Sequence, residues 1–210
     1  MLIVKRKQFE FIKTIPVTMS FILIYIIFTL CALLLGGYDE EVRIRLGAYD
    51  QQLVREGQVW RLFTYSLGHM SLFHLIINLP FMFFFARPLE EMMGSFKFMV
   101  SCISLSIFAG LIIYLFSDYP SPLAGSSGLG FGFLGVFLVL LFLRPEYFTT
   151  HQKAMISLFI ILAFAGTFFI ADISKAGHIG GFIGGIILSI FFLRTRLLLK
   201  RNSETEAFQR

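Results

Sequence analysis

Six side chains in this sequence could do chemistry together. They are His69, His74 and Asn78 in "GHMSLFHLIINL", Ser126 and Ser127 in "LAGSSGLG", and His178 in "AGHIGGFIGG". A serine hydroxyl is a weak nucleophile until a base takes its proton, and histidine is the usual base. Acyl transfer also needs donors for the oxyanion that develops on the attacked carbonyl. Backbone N–H groups, asparagine amides and imidazoles supply them. His74 and Asn78 are four residues apart and share a helix face, whereas His69 points elsewhere. This inventory suits a serine hydrolase working through a Ser–His dyad. No acidic third member stands out, since Asp172 lies six residues before His178 and Asp118 falls in a connection.

The elements that must position these groups are membrane helices. The chain is 57% hydrophobic and only 15% charged, with a mean hydropathy of +0.79, which excludes an ordinary soluble domain. A spanning helix needs about 20 apolar residues. Runs of that kind occur at Ile15–Leu35, Ser66–Ala86, Phe96–Phe116, Ser127–Leu143, Ala154–Ala171 and His178–Leu199. They are continuously apolar rather than alternating, so helices are expected and a barrel is not. The first run is too long for a secretory signal and no small-residue cleavage site follows it, so it reads as a retained span.

Charge sets the orientation. With the N-terminus in the cytoplasm, only Arg43, Arg45, Arg55, Arg61 and Lys175 of the 18 basic residues fall on the outer side. This asymmetry predicts that both termini are cytoplasmic. It also accounts for the net charge of +5 without any nucleic-acid partner. Every even-numbered span then begins on the outside. His69, His74, Asn78, Ser126, Ser127 and His178 therefore lie in one layer, just within the outer leaflet. Polar groups at membrane depth are costly and face the protein interior or a wet cavity.

The domain organisation follows: a cytoplasmic tail at 1–14, a six-helix domain at 15–199 and a short polar tail at 200–210, expected to be unstructured. The long connection from Gly36 to Tyr65 mixes charges with apolar residues and Trp60, as a structured loop or short amphipathic helix at the interface would. Cys31 and Cys102 lie deep in spans and read as packing residues. Gly128, Gly132 and Gly135 form a stripe beside Ser127, and Gly181 and Gly185 share a face with His178. Small residues at such spacing let membrane helices approach closely, here close enough for a Ser–His hydrogen bond. The "AGSSG" opening of the fourth span would leave free N–H groups at a helix N-terminus.

From roughly Gly57 to Leu193 the sequence resembles the rhomboid family of intramembrane serine proteases. "GQVWRLFTYSLGHMSLFHLIINL" resembles the family's approach to its second span, including Trp60–Arg61 and the His-x4-His-x3-Asn spacing. "GSSG", opened by Gly125, matches the family's G-x-S-G, and "GHIGGFIGG" resembles its base-bearing sixth helix. The resemblance implies Ser127 as nucleophile and His178 as base, with His74, Asn78 and the Ser127 N–H around the oxyanion. It also implies that Trp60–Arg61 belong to an outer loop lodged in the membrane interface and that Glu90 is a structural acid; His69, by its own chemistry, reads as a structural residue able to brace that loop by hydrogen bonds. Phe131 stands where many relatives carry tyrosine, so stacking on His178 would survive and a hydroxyl would not.

The expectation is an all-α membrane protein with a six-transmembrane-helix bundle of the compact bacterial type. Its activity would be cleavage of membrane-protein substrates, single-span ones by family resemblance, at the extracytoplasmic side of the plasma membrane. No metal or organic cofactor is called for. One alternative is an inactive rhomboid-like protein that binds membrane clients without cutting them, which the presence of both Ser127 and His178 argues against. Another is a metal or proton transporter using His69, His74 and His178. Metal binding would want further ligands, and no carboxylate joins the histidines at that depth.

Overall fold

A computed structural model describes residues 15–117, 122–170 and 173–208 of the chain. Asp118, Asp172 and the tail at 1–14 lie outside the described residues. Among those residues the fold is helical: α1 Pro16–Leu34, α2 Glu40–Arg45, α3 Gln51–Arg55, α4 Arg61–Thr64, α5 Leu72–Met93, α6 Ser95–Phe116, α7 Ser127–Leu143, α8 Thr150–Phe169 and α9 Lys175–Phe208. Helices α1, α5, α6 and α8 are long and apolar enough to cross a membrane. Helix α7 and the Lys175–Phe191 part of α9 are apolar but shorter.

Local chemistry explains the element boundaries. The helix carrying His74 starts at Leu72 rather than Ser66, because the Ser71 hydroxyl accepts from the His74 N–H at 3.1 Å and caps it there. His69 therefore sits in the connection, not on the helix. Helix α8 starts at Thr150, where Thr149 and Gln152 form a reciprocal capping box. Helix α9 runs on to Phe208, past Leu199 and through the segment expected to be an unstructured tail. No glycine or proline follows Gly185 before Phe208, so nothing in the sequence stops the helix. A single Gly94 at φ +80° turns α5 into α6, a left-handed conformation that side chains rarely adopt.

The Gly36–Tyr65 connection is structured, as expected. Asp39 and Asp50 cap α2 and α3 by accepting from Val42 and Leu53, each at 2.9 Å. The Arg61 guanidinium is buried beneath these helices. It donates to the carbonyls of Ile44 at 3.0 Å and Ala48 at 2.7 Å, and to Gln58 Oε1 at 2.8 Å. The loop rests on α6 at Gly110, where any Cβ would strike the Leu62 carbonyl oxygen.

Helix α7 is the centre of the bundle. Every residue from Gly128 to Phe137 is buried, and its neighbours are α5, α6, α8 and α9. The core joins Tyr25, Met82, Leu89, Phe98, Leu129 and Phe133, with the Phe98 and Phe133 rings stacked at 5.6 Å. Phe84, Phe142 and Phe191 point outward and are exposed, the arrangement that lipid permits and water does not.

At the far end of the bundle Glu90 is buried and accepts from the first free N–H groups of α1. Val17 N donates to Oε1 at 2.9 Å and Thr18 N to Oε2 at 2.7 Å. Pro16, at the first position of α1, has no N–H to offer. A carboxylate at a helix N-terminus also opposes the positive end of the helix dipole. Glu90→Gln keeps the shape but can accept through one oxygen only, leaving an N–H facing an NH2. The expected outcome is a loss of about 1–3 kcal/mol in unfolding measurements in detergent.

Candidate active site

The segment leading into α7 is held by the Gly36–Tyr65 loop. Tyr49 and Leu123 pair as an antiparallel bridge, with N–H···O distances of 2.8 and 2.9 Å. Arg43 donates to the Pro122 carbonyl at 2.8 Å, and Gly125 N donates to the Tyr65 carbonyl at 2.9 Å. Gly125 must be a glycine, because an added Cβ would sit 2.6 Å from Cε1 of the His74 imidazole. The backbone just before Ser127 thus lies directly against that ring.

A glycine seam brings α9 to α7. A Cβ on Gly181 would collide with the Gly128 carbonyl oxygen, one on Gly185 with that of Gly132, and one on Gly135 with that of Phe182. Helix backbones in direct contact are the geometry that small residues four apart allow in membranes. At the open end of this seam His178 Nε2 stands 2.8 Å from Ser127 Oγ, 51 residues apart in sequence. Phe131 stacks on the His178 imidazole, with centroids 4.1 Å apart and planes 13° from parallel, and so fixes the plane of the ring.

The other imidazole nitrogen has a partner the sequence did not single out. His178 Nδ1 is 2.8 Å from Thr167 Oγ1, and that hydroxyl also donates to the Ala163 carbonyl at 2.8 Å. Thr167 is buried near the end of α8. Its only trace in the sequence is a hydroxyl in "AGTFF", near the C-terminal end of an apolar run.

The two serines face different histidines. Ser126 is completely buried, and its Oγ is 3.2 Å from His69 Nε2. Ser127 is partly accessible. The Tyr25 ring meets His69 edge-on at 5.2 Å, and His69 meets His74 edge-on at 5.3 Å. Asn78 is buried, and its Nδ2 donates to the His74 carbonyl at 2.7 Å. That amide carries two N–H donors, so one is left for other work. Trp60 is largely exposed at the start of α4, far from the polar cluster in role, while Arg61 holds the loop from within.

Polar side chains from four apolar helices therefore converge at one end of a bundle built for lipid, and the class is that of an integral membrane protein. A family model for the rhomboid domain matches residues 56–195. The chain is 32% identical over 150 residues to rhomboid protease GluP of Bacillus subtilis (strain 168), covering 71% of this chain and 29% of GluP. It is 29% identical over 143 residues to the putative rhomboid protease YdcA of the same organism, covering 68% and 72%. Rhomboid protease GlpG of Haemophilus influenzae is 29% identical over 161 residues, covering 72% and 78%. The chain spans under a third of the length of GluP and about three quarters of the other two. It belongs to the rhomboid family.

The seam can be tested directly. Gly181→Val drives two methyl groups into the Gly128 carbonyl and must force α7 and α9 apart. The expected outcome is destabilisation of at least about 1–3 kcal/mol in detergent unfolding, whereas Gly166→Ala, where a Cβ makes only an ordinary contact with the Ile170 side chain, produces no comparable loss.

Proposed function

We propose that the chain is an intramembrane serine endopeptidase that hydrolyses peptide bonds in or near the transmembrane segments of membrane proteins. The three relatives compared above are named rhomboid protease, one of them putative rhomboid protease. The observation that carries the reading is the 2.8 Å contact of Ser127 Oγ with His178 Nε2 at the N-terminus of α7. In the proposed reaction Ser127 Oγ attacks the scissile carbonyl while His178 Nε2 takes its proton. The N–H of Ser127, the imidazole of His74 and the remaining amide N–H of Asn78 receive the oxyanion. His178 then returns the proton to the leaving amine. Water attacks the acyl-enzyme with His178 again as base, the ester bond to Ser127 Oγ breaks as His178 returns that proton to Oγ, and the acid product leaves.

Six spans, cytoplasmic termini and a site opening on the outer side of the plasma membrane complete the proposal. The short α7 supports such an opening. Its 17 residues rise about 26 Å, less than the roughly 30 Å of the hydrocarbon core. Its N-terminus can then sit below the membrane surface and still meet water from outside. A substrate helix must unwind there, because its peptide bonds are otherwise hydrogen-bonded and hidden. Single-span substrates with small residues near the cut fit that requirement.

A fluorophosphonate probe should label the protein in detergent. Ser127→Ala is expected to abolish labelling, and His178→Ala to abolish both labelling and cleavage of a model single-span substrate. Ser126→Ala should keep labelling while costing about 1 kcal/mol of stability through its lost bond to His69. Undiminished labelling of Ser127→Ala would remove Ser127 as nucleophile. An inactive client-binding protein would instead show no labelling and persistent co-purification with membrane proteins.

A further inference from the structure

We propose that Thr167 is a positioning residue that fixes the tautomer of His178. The inference rests on the Ser127–His178 reading above and adds a third member to it, supplied by α8. The Thr167 hydroxyl has one hydrogen and two short contacts, to the Ala163 carbonyl and to His178 Nδ1, both at 2.8 Å. A carbonyl oxygen can only accept, so the hydrogen lies on the Ala163 side. Turned the other way, it would leave two oxygen lone pairs facing each other at 2.8 Å. Thr167 therefore offers Nδ1 a lone pair, and Nδ1 must carry the proton. Nε2 is then the unprotonated nitrogen, and it faces Ser127 Oγ. That is the tautomer a general base requires.

The same bond serves both protonation states of the ring. Nδ1–H donates to Thr167 in neutral imidazole and in imidazolium, so nothing in the chain from Nδ1 to Oγ1 to the Ala163 carbonyl reverses when Nε2 takes the serine proton. A carboxylate in this role would hold the ring equally well but would bring a charge into an apolar bundle, where unpaired charge is expensive. A hydroxyl tied to a helix carbonyl gives the orientation without that cost. Thr167 and Ile156 are the buried residues of α8, and Thr167 is 1% exposed. This helix thus reaches the site through one hydroxyl and the apolar contacts around it.

The test uses the full chain in detergent, labelled with 15N-histidine. His69, His74, His151 and His178 are its four histidines, and the His178 signals are assigned by their loss in His178→Ala. The wild type is expected to show the Nδ1-protonated neutral form at His178. Thr167→Val, which keeps the shape and removes the hydroxyl, should move His178 toward a mixture of tautomers. It should also slow fluorophosphonate labelling by about tenfold to a hundredfold and lower kcat on the model substrate with KM unchanged. Thr167→Ser should restore both the spectrum and the rate. An Nε2-protonated His178 in the wild type overturns the proposal whatever the variants do. Wild-type labelling by Thr167→Val with an unchanged spectrum, or no rescue by Thr167→Ser, also overturns it. These failures leave the dyad standing, whereas labelling that survives Ser127→Ala would sink the dyad itself.

Discussion

The contact between α7 and α9 is the constraint on which the rest depends. Lipid tails are as apolar as leucine, so burial does not drive one membrane helix onto another; close packing and polar contacts must do it. Here the backbones touch at Gly128 with Gly181 and at Gly132 with Gly185. Leu105 of α6 fills the remaining space beside Gly132. At the separation that ordinary side chains impose, His178 could not reach Ser127. The glycines are poor helix formers in water, but their use here is the approach they permit.

A second requirement is that the backbone entering α7 be held in place, since the first N–H groups of a helix have no partner within it. The loop between α1 and α5 supplies this. Tyr49, Arg43 and Tyr65 each bond to the 122–125 segment, and Arg61 and Thr64 close the loop on itself from beneath, Thr64 by donating to the Gly47 carbonyl at 2.7 Å. Gly110 lets that loop settle on α6. The charged and polar residues expected in sequence to form a structured loop or short amphipathic helix are thus the scaffold of one end of the bundle. Glu90 performs a comparable service at the other end, where α1 begins.

The polar cluster itself is neutral in composition. It is made of imidazoles, hydroxyls, an amide and backbone groups, most of which pair with one another, although His69 Nδ1 is buried without a hydrogen-bond partner. His69 with Ser126, His178 with Ser127 and Thr167, and Asn78 with the His74 carbonyl form adjoining pairs. In a low-dielectric interior such groups are expensive alone and mutually supportive together. The cluster therefore acts as both a candidate reaction centre and a set of ties between α5, α7, α8 and α9.

Hydropathy alone was enough to mark the apolar runs, and charge bias was enough to place His74, Asn78, Ser127 and His178 in one layer. These are local properties, carried by composition and by spacings of four residues. Helix ends were less legible. Ser71 caps α5 so that it starts at Leu72, six residues later than hydropathy indicated, and α9 continues to Phe208 because the polar residues after Leu199 include no breaker. Spacing did not separate Ser126 from Ser127; resemblance to the rhomboid motif did, and the structure adds that one is sealed against His69 while the other is partly open. Thr167 was invisible because a threonine in an apolar run has no meaning until its neighbour across the bundle is known. The sequence by itself determined which residues were available and toward which ends of their apolar runs they lie. Only the tertiary structure decided which nitrogen of His178 faces which oxygen, because that depends on three helices converging, and no local period records it.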